Sequence, residues 1–245
     1  MEEKQTFIEH LEELRKRLII SLIAVGIGFG ICYIFSKEIF QLLMIPLQKA
    51  LPKGATMIFT TPAEAFFTYF KVALLAGIFA ASPVILYQIW LFVAPALYSH
   101  EKKYVIPFVI SSTLLFIGGA AFGYFIVFPF SFKFLMSFAT DLIQPAPRLK
   151  ESLSFCSMLL FAFGLTFELP LLILFLSKVG VVNARMLARN RKYAIVAIFI
   201  VAAILTPPDV VSQLMMAIPL LILYEAGIWI AKIFGRRHEE KDPPA

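Results

Sequence analysis

Long apolar runs constrain the fold of this chain more than any other feature of its sequence. Four of them are about as long as a membrane-spanning helix: 18–35, 72–93, 105–132 and 153–176. A helix rises about 1.5 Å per residue, so about 20 residues cross a hydrocarbon core roughly 30 Å thick. Because the runs are continuously apolar, they predict helices and not the alternating strands of a membrane barrel.

Two shorter apolar runs follow, 193–205 and 210–231, joined by the turn sequence TPPD at 206–209. Its two prolines end a helix and favour a tight turn. The second run contains Gln213 and Glu225, so its unbroken apolar part is short. We therefore expect a helical hairpin that does not cross a full bilayer, and we hypothesise that the bilayer thins beside it. The sequence thus predicts an all-α polytopic membrane protein with six transmembrane helices.

Composition excludes several other classes of protein. Apolar residues make up 60% of the chain and charged residues 16%, against about 45–50% and about 25% in ordinary soluble domains. The zinc-protease, nucleophile-elbow and phosphate-loop motifs are absent from the sequence, so we expect no enzyme activity and no cofactor. Two cysteines are too few for a metal cluster, and the scattered basic residues do not indicate nucleic-acid binding.

The distribution of basic residues predicts the orientation. With the N-terminus in the cytoplasm, 15 of the 22 Lys and Arg residues fall on the cytoplasmic side. The positive-inside rule therefore favours both termini in the cytoplasm. We expect one transmembrane domain over 1–237, with an outer loop from 36 to 70 that can form a small cap. The polar tail, 238–245, is expected to be disordered.

Residues 5–17 show the periodicity of an amphipathic cytoplasmic helix. Its apolar stripe consists of Ile8, Leu11, Leu14 and Leu18, which we expect to lie along the membrane surface or to pack on neighbouring helices. Glu9 and Glu13 fall on another face, where Glu13 can pair with Arg17. This acidic face is either solvated, with intrahelical ion pairs, or a surface that presents carboxylates to a cationic partner.

Three further acidic residues bear on the function. Glu101 lies in the first cytoplasmic loop, on the same membrane face as Glu13, and two nearby carboxylates can each bind a guanidinium. Glu168 lies inside the fourth apolar run, where an ionisable group is costly and usually functional. Pro170 predicts a kink beside it. Glu168 either faces a functional cavity or satisfies a local polar group, whereas Glu225 and Gln213 are interpreted as local hydrogen-bond partners.

Several motifs together resemble the TatC family, whose members are receptor subunits of the twin-arginine protein translocase. The N-terminal motif follows the pattern H-L-x-E-L-R-x-R, and the set covers nearly the whole chain: 10–17 (HLEELRKR), 82–88 (SPVILYQ), 92–98 (FVAPALY), 100–101 (HE), 161–164 (FAFG), 167–170 (FELP) and 205–209 (LTPPD). The resemblance implies a glove-shaped six-helix protein of the cytoplasmic membrane that recognises twin-arginine signal peptides. It also implies export of folded cargo by the proton-motive force, membrane lipid contacts, a homo-oligomer within a larger complex, and single-span partners of the TatA and TatB types.

The resemblance also assigns roles to individual residues. Glu13 and Glu101 match the carboxylates that bind the twin arginines, and Arg15 and Arg17 match supporting positions of the signature. Glu168 matches the polar residue of the intramembrane pocket. The remaining matches are Thr206 and Gln213, which contact partner helices, and Pro46 and Phe92, which act through loop shape and packing.

Two other functions remain open at this point. A secondary transporter or proton channel would use Glu168 as its proton site, and a structural scaffold would bind no ligand. The transporter hypothesis leaves the acidic N-terminal helix and Glu101 unexplained. Proton flux in liposomes and binding of a signal peptide would separate these alternatives from a receptor.

Overall fold

The structure is a computed structural model that describes residues 2–52, 55–93, 105–140, 145–206 and 210–234. The helices are α1 (Glu2–Ile34), α2 (Ser36–Ala50), α3 (Pro62–Val93), α4 (Val105–Phe122), α5 (Phe128–Met136), α6 (Leu149–Phe167), α7 (Leu169–Val179), α8 (Ala184–Arg189), α9 (Arg191–Leu205) and α10 (Val210–Phe234), with a π-helical turn (Gly123–Val127) between α4 and α5. Within these ranges, extended pairing is confined to one bridge between Ile58 and Arg148. The predicted all-α class is confirmed.

The apolar runs form helices as predicted. Five helical stretches of the described residues are long and apolar enough to cross a membrane: Ile8–Ile34, Pro62–Val93, Ile106–Met136, Leu149–Val179 and Gln213–Phe234. The fifth run in sequence order forms α9, whose 15 residues measure only about 22 Å along the axis. The sixth run forms a longer helix than expected. This helix, α10, continues for 25 residues through Gln213 and Glu225. Polar side chains do not interrupt the backbone hydrogen bonds of a helix, so of the two helices in the hairpin, α9 is the short one.

The N-terminal amphipathic segment 5–17 is helical but is not a separate element. It forms the first half of α1, which runs without a break from Glu2 to Ile34, since no proline or glycine interrupts residues 2–25. The apolar stripe does not pack on neighbouring helices of the described chain. Its members are exposed: Ile8 by 62%, Leu11 by 48%, Leu14 by 42% and Leu18 by 58%.

The chain divides into two compact units, Met1–Leu165 and Thr166–Ala245. In the first unit, α1 and α3 approach each other closely at Gly28 and Gly77. A Cβ atom on Gly28 would lie 2.7 Å from the carbonyl oxygen of Gly77. By contrast, a Cβ atom on Gly26 or Gly30 would meet nothing within 4 Å. Glycine is therefore needed at the crossing point, where backbone meets backbone.

Two prolines of the first unit are accommodated without breaking their spans. Pro83 lies inside α3 and cannot donate to the carbonyl of Phe79, four residues earlier. The hydroxyl of Ser82 donates to this carbonyl instead, at 2.7 Å. Pro129 lies in the first turn of α5, directly after the π-helical turn. The wider π turn fits a proline that lacks one backbone donor.

The second unit contains α7 to α10. Helix α7 ends at Gly180, whose φ of 85° is the left-handed conformation that glycine adopts most readily. Asn183 caps α8 by accepting the backbone N–H of Met186 at 2.7 Å. The hydroxyl of Tyr224 on α10 donates to the carbonyl of Leu187 at 2.9 Å. These contacts fix α8 against α10.

Candidate functional site

Glu13 lies on α1, where its carboxylate is held by Arg17 one turn later. The Nε of Arg17 donates to Oε1 of Glu13 at 3.0 Å, and Nη2 donates to the same oxygen. Among the described residues, no donor reaches Oε2. The side chains of Glu13 and Arg17 are 36% and 21% exposed, so the pair is accessible from solvent.

Two contacts join this part of α1 to α3. Nη1 of Arg17 donates to Oε1 of Gln88 at 3.2 Å, and Gln88 is only 8% exposed. The ring of His10 stacks on that of Phe92, with 4.4 Å between centroids. We call Glu13, Arg17 and Gln88 the carboxylate network. The buried amide on α3 fixes the guanidinium, and the guanidinium in turn fixes the carboxylate.

The other predicted residues of this surface differ in their placement. Arg15 is exposed and has no hydrogen bond or ion pair with the described residues. Phe92 contributes the stacking contact with His10, and its functional role stays a prediction. Glu101 lies outside the described residues, so its predicted proximity to Glu13 stays a prediction. Pro46 is buried inside α2, which packs on α3 and α5.

Glu168 occupies the break between α6 and α7. Helix α6 ends at Phe167 and α7 begins at Leu169, so the helix is interrupted at Glu168, two residues before Pro170. The backbone carbonyl of Glu168 accepts the N–H of Leu172 at 2.8 Å. The residue is half-buried, and its functional role stays a prediction.

Thr206 and Gln213 use their polar groups within the hairpin of α9 and α10. The hydroxyl of Thr206 donates to the carbonyl of Ala202 at 2.8 Å, and the side-chain amide of Gln213 donates to the carbonyl of Phe199 at 3.1 Å. Gln213 therefore has the local hydrogen bond expected for it. The turn residues 207–209 lie outside the described residues.

Glu225 also has a local partner, as expected. Arg191 at the start of α9 donates to both of its oxygens, with Nε at 2.7 Å and Nη2 at 2.8 Å. This bidentate pair joins α9 to α10. Both side chains are nearly half exposed, so the pair adds little stability.

Sequence reasoning missed the roles of two residues. Gln88 was noted only as part of a motif, although an amide inside the apolar run 72–93 is itself a signal that a polar partner is near. Glu64 is 8% exposed and accepts hydrogen bonds from the backbone of both Thr60 and Lys150. The sequence TPAE at 61–64 could have identified Glu64, because this pattern is typical of a capping box at the start of a helix.

The family model and the similar proteins found by comparison all carry the same name. The family model described as "Sec-independent protein translocase protein (TatC)" matches residues 9–219. The chain is 52% identical over 244 residues to the Sec-independent protein translocase protein TatC of Desulforapulum autotrophicum, covering 100% of this chain and 90% of that protein. It is 43% identical over 243 residues to the Escherichia coli K12 protein of the same name, covering 98% and 94%.

Solved structures agree with this result. A crystal structure of the twin-arginine translocase receptor TatC superimposes with a TM-score of 0.83 at 47% identity. The match covers 93% of this chain and 100% of that chain. A second crystal structure of this receptor, in DDM, gives a TM-score of 0.84 at 46% identity.

Proposed function

The chain belongs to the TatC family of Sec-independent protein translocase proteins, and we propose that Glu13 is the residue through which it first binds a twin-arginine signal peptide. The protein is a receptor and core subunit of the twin-arginine translocase, which exports folded proteins with the proton-motive force. It is a transport component and not an enzyme.

The geometry of the carboxylate network supports this assignment. Glu13 keeps one carboxylate oxygen open to the described residues, while Arg17 holds the other oxygen and is itself held by Gln88. An incoming guanidinium can donate to the open oxygen directly, or it can replace Arg17 in the same arrangement of donors. Arginine forms such planar, paired hydrogen bonds, whereas the ammonium of lysine is a point charge. This difference gives a physical reason for a preference for arginine.

A peptide with two arginines needs a second acceptor, and we assign this role to Glu101. In the predicted topology Glu101 lies on the same membrane face as Glu13, and its position matches the family motif. Arg15 and Arg17 support the surface, and Phe92 holds the N-terminal part of α1 against α3. Pro46 acts through the shape of α2.

The proposed partner subunits, membrane and orientation rest on the resemblance to the TatC family and on the distribution of basic residues. We place the protein in the inner membrane with both termini in the cytoplasm, because most basic residues then fall on the cytoplasmic side. Single-span subunits of the TatA and TatB types dock near Glu168 and the hairpin of α9 and α10. Thr206 and Gln213 take part through groups that are hydrogen-bonded locally in the isolated chain, so docking exchanges these bonds.

The experiment compares peptide binding by two matched variants of the purified protein. Glu13→Ala removes the proposed acceptor, and Glu12→Ala removes an exposed carboxylate from the neighbouring position. A charge-assisted hydrogen bond is worth about 1.5–3 kcal/mol, so Glu13→Ala should weaken binding of an Arg-Arg peptide by at least about tenfold. Glu12→Ala should change the affinity by less than about twofold. Equal losses in the two variants would contradict a specific role for Glu13.

A further inference from the structure

A cavity of about 590 Å³ lies where the start of α3 meets the segment that leads into α6. Three cationic side chains line it, Lys71, Arg148 and Lys150, together with the hydroxyl residues Thr60 and Thr61. The basic residues come from two outer segments that are far apart in the sequence. The volume falls within the range of about 300–1,000 Å³ that is typical of ligand sites.

Buried Glu64 holds the walls of this cavity in place. Its Oε1 accepts the backbone N–H of Lys150 at 3.1 Å. Its Oε2 accepts the backbone N–H and the hydroxyl of Thr60, at 2.8 Å and 3.1 Å. Beside it, the N–H of Leu149 donates to the carbonyl of Ile58 at 2.9 Å. Both oxygens of Glu64 are therefore used by neutral donors, so the carboxylate forms no close ion pair with Lys71 or Lys150, although its charge offsets one of the cations in the lining.

The lining carries three cations and two carboxylates, so its net charge is +1. Arg148 pairs with Glu151 at 3.3 Å, but these side chains are 53% and 68% exposed, so the pair is weak. Lys71 and Lys150 have no ion-pair partner among the described residues. An anion that enters the cavity thus meets two available ammonium groups.

The position of the cavity along the membrane normal limits which anion can reach it. Lys71 directly precedes the apolar run 72–93, and Leu153, which also lines the cavity, is the first residue of the run 153–176. The cavity therefore lies at the edge of the hydrocarbon region. Phe66 and Phe67 beside it are each 57% exposed, as in the aromatic belts found at the level of lipid headgroups.

We propose that this cavity binds the phosphate of an anionic phospholipid headgroup, with Lys71 and Lys150 as its charged ligands. The hydroxyl of Thr61 supplies an uncharged donor, and the acyl chains remain in the bilayer beside α3 and α6. The site is remote in sequence from the carboxylate network and does not depend on the role of Glu13. It also gives a function to basic residues that lie on the side of the membrane where such residues are scarce.

The test measures the thermal unfolding midpoint of the purified full-length protein in detergent during titration with defined lipids. Phosphatidylglycerol is the anionic probe, phosphatidylcholine with the same acyl chains is the zwitterionic control, and inorganic phosphate tests whether a free anion suffices. Phosphatidylglycerol should raise the midpoint of the unmodified protein more than phosphatidylcholine does. In the double variant Lys71→Gln/Lys150→Gln, binding should weaken by about twenty-five-fold, since each basic residue near an anionic lipid contributes roughly a factor of five.

Two further variants make the result specific. Lys49→Gln/Lys133→Gln removes two outer lysines that do not line the cavity, and it should keep the full response to phosphatidylglycerol. Lys71→Arg/Lys150→Arg retains the charge and should also keep the response. An unchanged response to phosphatidylglycerol in Lys71→Gln/Lys150→Gln would overturn the proposal. A lysine-dependent response to inorganic phosphate, with none to phosphatidylglycerol, would contradict the assignment to lipid.

Discussion

The crossing of α1 and α3 at Gly28 predicts a sharp difference between neighbouring glycines. In Gly28→Ala, the new Cβ atom would lie 2.7 Å from the carbonyl oxygen of Gly77 and 3.2 Å from its Cα atom. Ordinary van der Waals contact begins at about 3.4 Å, and a backbone carbonyl in a helix cannot rotate away. The two helices must therefore separate by about 0.5 Å or more.

The expected magnitude follows from two opposing effects. Overpacking of a well-packed contact typically costs about 1–3 kcal/mol, while alanine favours a helix over glycine by about 0.8–1 kcal/mol. The net result for Gly28→Ala is a destabilisation of up to about 2 kcal/mol, with a middle value of about 1 kcal/mol. Gly26→Ala and Gly30→Ala meet nothing within 4 Å, so they should be neutral or slightly stabilising. The three variants have the same change in composition and differ only in what the added methyl group contacts.

Thermal unfolding of the three purified variants in one detergent measures this difference. The midpoint should fall by several degrees for Gly28→Ala alone. Helix α1 has little other packing, since only 6% of its apolar window is buried, against 33–44% in the other candidate spans. Signal-peptide binding should therefore weaken in the same variant, because Glu13 lies on α1. Equal midpoints for Gly26→Ala and Gly28→Ala would refute the reasoning.

Three other substitutions test contacts that organise the same unit. Glu64→Ala should lower the unfolding midpoint by several degrees, because it leaves two backbone N–H groups without their acceptor, and thermal unfolding measures the loss. Gln88→Leu should weaken binding of an Arg-Arg peptide by about fivefold without a comparable loss of stability, because Arg17 loses its contact on α3; a peptide titration checks this. Ser82→Ala should destabilise the protein by about 1 kcal/mol, because the carbonyl of Phe79 loses its donor, as denaturant unfolding will show.

Each of these predictions has a result that contradicts it, and the first also has a control variant. Glu151→Ala removes an exposed carboxylate from the same region as Glu64 and should leave the midpoint nearly unchanged; equal effects would contradict the role of Glu64 as a buried acceptor. Unaltered peptide affinity in Gln88→Leu would show that Arg17 does not need its amide contact. A stable Ser82→Ala would mean that the carbonyl beside Pro83 is satisfied in another way.

The sequence predicted the helices well, because spanning helices depend on hydrophobic length alone. The short helix α9 was visible as a short apolar run, and the helix interruption at Glu168 was signalled by Pro170. The continuity of α1 was not predicted, since a change from charged to apolar residues marks the membrane surface and not the end of a helix. The length of α10 was underestimated for a related reason: Gln213 and Glu225 interrupt the apolar run but not the helical backbone.

The candidate site was predicted less completely than the fold. The pairing of Glu13 with Arg17 follows from their spacing of four residues on one helix. The contact of Arg17 with Gln88 joins residues 71 positions apart, and helical periodicity carries no information about such pairs. The same holds for Glu64 and Lys150, which meet across 86 positions. The crossing at Gly28 was also hidden, because nothing in the sequence distinguishes Gly28 from Gly26 and Gly30, which meet nothing within 4 Å.

The central claim is that the carboxylate of Glu13 contacts an arginine of the signal peptide, and a double-mutant cycle tests it most directly. Binding of Arg-Arg and Lys-Lys peptides would be measured for the unmodified protein and for Glu13→Gln. If the two groups touch, the preference for Arg-Arg should shrink in Glu13→Gln, with a coupling energy of about 1–2 kcal/mol. If the preference for Arg-Arg is the same in both proteins, the coupling is zero and Glu13 is not the acceptor.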